Sequence, residues 1–135
     1  MIEDVRKLIK THNNVSDGVL IKMDVDDYVN KIVKFAIIIN YYTDSKLTGF
    51  IAYYANDGLK KNAYLTLILI DNSSRGSGLG KLLLESSISD LSKRGFSTYK
   101  LEVLKNNTKA LKMYEKFGFT VEEDRGDMWL LNLNL

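Results

Sequence analysis

The stretch Arg75-Gly76-Ser77-Gly78-Leu79-Gly80 directly follows the apolar run Leu65-Thr66-Leu67-Ile68-Leu69-Ile70-Asp71. This order predicts a buried strand from Ala63 to Ile70, a short polar turn, and a helix from Leu79 to Arg94 that opens among glycines. A helix start leaves backbone N–H groups unpaired and pointing outward, so it attracts anions. Gly78 and Gly80 have no Cβ, and a phosphate can therefore approach the backbone closely. Arg75 adds a charge-assisted contact. The segment predicts a phosphate site, and the competing reading is a glycine-rich surface turn with Arg75 as a solvated charge.

Two common phosphate loops do not fit. A Walker loop needs Gly, four residues and then Gly-Lys-Ser/Thr, but Gly80-Lys81 is followed by Leu82, and Arg75 stands where the first glycine belongs. A dinucleotide fingerprint counted from Gly76 and Gly78 requires glycine at residue 81, which is Lys81. The remaining pattern, Arg-x-x-Gly-x-Gly, resembles the pyrophosphate-binding turn of the Gcn5-related N-acetyltransferase (GNAT) superfamily, which holds acetyl-CoA. A second motif follows. Leu101-Glu102-Val103 precedes Asn107, Ala110, Tyr114 and Phe117-Gly118-Phe119. This is similar to the family's Leu-Glu-Val strand, Asn-x-x-Ala-x-x-x-Tyr helix and Gly-Phe stop, in the family's order. Asn107, Ala110 and Tyr114 fall on one helix face. The resemblance covers residues 35 to 135.

Composition narrows the chemistry. The chain has 135 residues, enough for one domain with its own core, residues 1 to 135. Its net charge of +2 comes without a basic block and points to no nucleic acid. Cysteine is absent, which excludes disulfides, thiolate metal sites and a Cys nucleophile; His12 is the only histidine, so neither a His-based triad nor a His metal cluster is expected, and no metal is expected. His12 stands in a polar stretch and is expected at the surface. No apolar run approaches the ~20 residues that span a bilayer, and the first residues lack a signal-peptide core. A cytoplasmic protein without membrane contact is expected.

Periodicity predicts helices over residues 2 to 12 and 24 to 34, a hairpin of strands Phe35 to Tyr42 and Leu47 to Tyr54, and the strand–turn–helix above. A further strand carries Tyr99, Leu101 and Val103 on one face and Lys100 and Glu102 on the other. A helix over residues 107 to 117 and a hairpin of Phe119 to Glu123 with Met128 to Leu133 complete the chain. The fold class is α+β, a mixed, mostly antiparallel sheet flanked by helices. The family usually opens with a strand, which is missing or displaced here; Val19 to Met23 is a candidate for a late one. The Leu-rich end, Leu130 to Leu135, is a candidate homodimer interface.

The resemblance implies direct attack of an acceptor amine on the thioester of acetyl-CoA in a ternary complex. It implies cofactor contacts from Ile68, Leu69, Ile70, Arg75, Gly76, Ser77, Gly78, Leu79, Gly80, Asn107, Ala110 and Tyr114. A backbone N–H of Ile68-Leu69-Ile70 would face the oxyanion. Tyr114 would protonate the leaving thiolate, and Glu102 would act as base, directly or through water. Competing structural readings are a core tyrosine, a cross-strand ion-pair partner for Glu102 and a helix N-cap for Asn107. Asp71 is a substitute base or a turn cap. Tyr41, Tyr42, Tyr53 and Tyr54 place rings on both hairpin faces, where one face can meet the acceptor. Trp129 is expected in the core. A small-molecule amine is the preferred acceptor. A protein N-terminus or lysine, or a non-catalytic acyl-CoA-binding module, are the alternatives.

Overall fold

A computed structural model describes residues 2–15 and 23–135. The elements run α1 (Ile2–Val15), α2 (Val25–Phe35), β1 (Ile37–Thr43), β2 (Lys46–Tyr54), β3 (Asn62–Ile70), α3 (Leu79–Arg94), β4 (Thr98–Leu104), α4 (Thr108–Lys116), β5 (Thr120–Arg125) and β6 (Met128–Asn134). They build one six-stranded sheet in the order β1-β2-β3-β4-β6-β5. Only the β3–β4 pair is parallel; every other pair is antiparallel. This is the α+β architecture expected from the pattern. Among the described residues no strand precedes α1. Of the candidate late strand, residues 19–22 lie outside the described residues, and Met23 is a bend.

Each face of the sheet has its own core. On one face, α3 and α4 bury Leu83, Leu84, Leu91 and Tyr114 against Ile51, Tyr53, Leu65, Tyr99, Leu101 and Val103. On the other, α1 and α2 bury Val5, Leu8, Ile9, Val29 and Ile32 against Phe50, Ala52, Leu67 and Leu69. The helix ends follow local chemistry. Asp24 caps α2 by accepting from the Asp27 N–H, and Gly95 closes α3 in the left-handed conformation. Phe35, expected in the first strand, is instead the last residue of α2 and half exposed.

His12 corrects the surface assignment, because only 2% of it is exposed. Val5, Leu8, Ile9 and His12 form an i, i+3, i+4, i+7 stripe, so the helix carries the ring inward whatever its polar sequence neighbours suggest. Its Nδ1 donates to the Leu8 carbonyl at 3.0 Å. The Leu-rich C-terminus forms β6. β6 lies between β4 and β5, and Leu130 and Leu131 are buried within the chain, so this run is not a free edge.

The alternation of β3 breaks at one place. Leu65 faces the α3 side, as do Ile68 and Ile70, whereas Leu67 and Leu69 face α1 and α2. The β2–β3 register explains the switch: Tyr53 pairs with Leu65 and Ala52 with Leu67, leaving Thr66 as an extra residue, a β-bulge. Pairing of β3 with β4 stops at Leu65–Leu101, beside the bulge. Beyond it the two parallel strands separate.

Gly49 on β2 supports the start of α3. A Cβ there would lie 2.9 Å from both Ile70 Cδ1 and Leu79 Cδ2, and 3.3 Å from the Leu69 carbonyl oxygen. Leu79 is the first residue of α3, so overpacking at Gly49 pushes on the glycine turn. Gly49→Val is expected to cost about 1–3 kcal/mol in denaturant unfolding. It should also weaken any ligand held by the turn, and an unaltered stability would show that this contact is slack.

Candidate active site

The gap between β3 and β4 is the centre of the site. Asp71 N–H donates to the Thr48 carbonyl on β2 at 2.8 Å. Backbone groups alternate sides along an extended strand, so Leu69 also faces β2, while the N–H groups of Ile68 and Ile70 face the gap. β4 does not pair with them there. Arg75 Nε reaches the Ile70 carbonyl at 3.5 Å from that side. Two unspent donors at the wall of a cleft are the arrangement an oxyanion or an amide carbonyl needs.

The turn is fixed at its entry by Asp71. Its carboxylate accepts from Ser73 Oγ at 2.6 Å and Lys46 Nζ at 3.2 Å, and these contacts hold it below the usual carboxylate range, Ser73 contributing most. Asp71 therefore serves as the turn cap. Gly76 and Gly78 take φ values of +80° and +84°, and a Cβ at either would point into open space. Gly78 is the N-cap of α3 and has no side-chain cap bond. The first helical bond runs from Leu82 N–H to the Gly78 carbonyl, so the amides preceding it are free for a ligand.

These parts line a cleft of about 430 Å³ that includes Ile68, Leu69, Ile70, Arg75, Gly76, Gly78, Leu79, Gly80, Asn107 and Ala110. Thus most of the residues expected to meet the cofactor do share one cleft. Ser77 is outside it, and its hydroxyl donates to the Ser74 carbonyl. Asn107 caps α4, with Oδ1 accepting from the Ala110 N–H at 3.2 Å, so the cap reading is correct and coexists with its position on the cleft wall. The cleft also holds Lys81, Lys109 and Met113, which sequence reasoning missed. Lys81 lies two residues past Leu79, and Lys109 and Met113 share a face of α4, so the signal was the helix period around Asn107 and Ala110.

Tyr114 on α4 is buried in the core with Phe119 and is not among the residues that line this cleft. Its ring packs edge-on against Phe119, with centroids 5.6 Å apart. Burial pushes its phenol up to about 12, and the hydroxyl has no hydrogen-bond partner among the described residues. Glu102 is on the opposite face of β4. Tyr64 OH donates to its Oε1 at 3.2 Å, and Arg125 Nη1 is 3.5 Å from its Oε2. Tyr64 and Arg125 were also missed; both follow from strand register, since Tyr64 pairs with Lys100 beside Glu102, and Arg125 is brought near through β6. Tyr53, by contrast, is fully buried and donates to Asp90, while Tyr41 and Tyr42 lie on β1, away from the gap. Trp129 is only half-buried, with Lys105 Nζ 4.1 Å from its ring centroid. The acid and base candidates thus stand on opposite faces of the sheet, and neither lines the cleft.

Residues 16–119 match the Acetyltransferase (GNAT) family. The chain belongs to this family. Within it, the chain is 44% identical over 57 residues to the [ribosomal protein bS18]-alanine N-acetyltransferase of Escherichia coli K12, covering 42% of this chain and 38% of that protein. It is 31% identical over 91 residues to the spermine/spermidine N(1)-acetyltransferase of Bacillus subtilis 168, covering 60% and 57%. These matches therefore span well under two thirds of the relatives' length. The PaiA N-acetyltransferase of Thermoplasma acidophilum, solved in complex with coenzyme A, shares the GNAT fold with a TM-score of 0.79 at 20% identity, over 99% of this chain and 92% of that one.

Proposed function

We propose that this GNAT chain is an acetyl-CoA-dependent N-acetyltransferase that acetylates the primary amine of a small molecule. The observation that carries the reading is the union of two features. Free amides and a left-handed Gly78 form an anion cradle, and the cradle opens onto the gap with its unpaired Ile68 and Ile70 N–H groups. A diphosphate fits the first and a thioester arm the second. Lys81 and Lys109 add positive charge along the same wall.

The acceptor nitrogen must be neutral to attack. At pH 7 a lysine-like amine of pKa ~10.4 costs ~4.6 kcal/mol to deprotonate, and an α-amino group near 7.8 only ~1 kcal/mol. Glu102 is the candidate to receive that proton, and both its oxygens are engaged by Tyr64 and Arg125. Acting as base requires one of them to yield, or a water to bridge. The nitrogen bonds to the thioester carbonyl carbon, and the oxyanion forms against the β3 amides. The C–S bond then breaks with the electron pair leaving on sulfur. The Tyr114 hydroxyl meets the thiolate, and the attacking nitrogen loses its second proton to Glu102 after Glu102 has passed the first one to water. The E. coli relative acts on a ribosomal protein alanine, so a protein N-terminus is the second reading.

Thermal unfolding with acetyl-CoA, free CoA, ATP and NAD in parallel tests the cofactor. A ligand at about 100 times its Kd stabilises by ~2.7 kcal/mol. Stabilisation by both CoA forms alone supports the proposal. No response to CoA removes it. Thiol release with amino acids, amino sugars and polyamines, against a peptide amine, then separates the two acceptor readings.

A further inference from the structure

The β3–β4 ladder ends at the Leu65–Leu101 pair, so Glu102 is the first residue of β4 at the gap. Leu101 and Val103 pack into the core with α3 and α4, which turns Glu102 to the other face of the sheet. Side chains from three strands meet there. Tyr64 OH donates to Glu102 Oε1 at 3.2 Å, and Arg125 Nη1 lies 3.5 Å from Glu102 Oε2. Arg125 Nε donates to Glu123 Oε2 at 2.7 Å. The Arg125 and Glu102 side chains are 42% and 34% exposed, within reach of a ligand.

The two grips on Arg125 are unequal. Its bond to Glu123 is short and local, two residues away on β5. Its contact with Glu102 is longer than the ~2.7–2.9 Å of a charge-assisted hydrogen bond. The guanidinium is thus anchored through Nε, and its Nη end reaches loosely toward Glu102. That end is a fork of parallel N–H groups, the shape that takes a carboxylate. The neighbouring cations are differently placed: Lys100 pairs with Glu122, and Lys105 with Asp124.

This geometry constrains the acceptor. An ammonium that approaches Glu102 Oε2 with no anion of its own meets the guanidinium, cation against cation. An acceptor with a carboxylate beside its amine avoids the conflict. Its carboxylate takes the Nη fork of Arg125, and its ammonium takes the oxygen that Arg125 gives up. One ion pair becomes two, and the net charge of the site is unaltered. Glu102 Oε2 is then in contact with the amine whose proton it must accept. We infer that the acceptor is an amino acid, recognised as a zwitterion by Glu102 and Arg125. The inference rests on the acetyl-CoA-dependent reading above and names the acceptor class within it. Polyamines have no anion to offer Arg125, and a protein N-terminus has no carboxylate beside its amine.

Thiol release from acetyl-CoA is measured with each of the common amino acids. The best of them is then compared with its amide and its decarboxylated amine, which keep the amine and side chain but lack the carboxylate. The amino acid should have a kcat/KM about 10–100-fold higher than either, the range for one charged contact. It should also add thermal stabilisation to the complex with free CoA, where no turnover occurs, and the amide should not. Arg125→Gln separates recognition from the intrinsic reactivity of the three amines. Folded by circular dichroism and stabilised by acetyl-CoA like the parent, this variant should lower the preference for the carboxylate by about 10–100-fold. A preference that survives Arg125→Gln overturns the inference. So does a parent chain that acetylates polyamines or a peptide N-terminus but no amino acid. In both cases stabilisation by acetyl-CoA persists and the cofactor reading stands, whereas a chain that acetyl-CoA does not stabilise removes both.

Discussion

Gly78→Val is expected to abolish the stabilisation by acetyl-CoA and by free CoA. Two effects act at this position. The φ of +84° is one a β-branched side chain resists, and the added carbons enter the open space above the turn, where nothing lies within 4 Å in the free protein. The first effect lowers stability in the absence of ligand; the second blocks the approach of a phosphate to the helix amides. Gly126→Val separates them. Gly126 has a φ of +79°, also in open space, but in the β5–β6 hairpin. Both variants should lose stability alone, while only Gly78→Val should lose the ~2.7 kcal/mol response at about 100 times the parent Kd. An intact response in folded Gly78→Val would show that the diphosphate is held elsewhere.

The contrast between these glycines shows what a sequence can announce. The turn was legible because glycine and arginine have few other reasons to stand at those spacings. β4 was legible because one face is apolar and the other charged, and its period of two survives: Tyr99, Leu101 and Val103 are buried, and Lys100 and Glu102 less so. β3 is apolar on both faces, so its sequence carries no period, and the Thr66 bulge that shifts Leu67 and Leu69 to the other face left no mark. That bulge coincides with the point where β3 and β4 part, so the opening of the cleft was the least legible part of the site. His12 shows the reverse error. The helical stripe was present, but the polarity of its neighbours outweighed it. Tyr64 and Arg125 depend on pairing across three strands, which local spacing does not encode.

Tyr114→Phe should lower turnover by about 10²–10³-fold, the range for loss of one hydrogen-bond donor to charge that develops in the transition state, and leave the affinity for acetyl-CoA nearly intact. The substitution removes one oxygen from a ring packed on Phe119 and keeps its shape. The hydroxyl has no partner among the described residues, so its loss strands no donor or acceptor, and unfolding stability should be unaltered within about 0.5 kcal/mol. The sign of the pH dependence follows from burial. With its phenol pushed up to about 12, Tyr114 remains protonated at every working pH, so the parent rate should not fall below about pH 10 through loss of this proton. A pKa that high also makes complete transfer to a thiolate of pKa ~8.5 unfavourable by ~5 kcal/mol. The phenol therefore acts best as a hydrogen-bond donor that stabilises the departing sulfur, with the proton delivered as the thiolate reaches water. This division has a measurable consequence. A thioester whose thiol is more acidic needs less help, so Tyr114→Phe should be less damaging with such a substrate. Equal losses for both thioesters, with chemistry rate-limiting, would place Tyr114 in positioning the thioester arm instead.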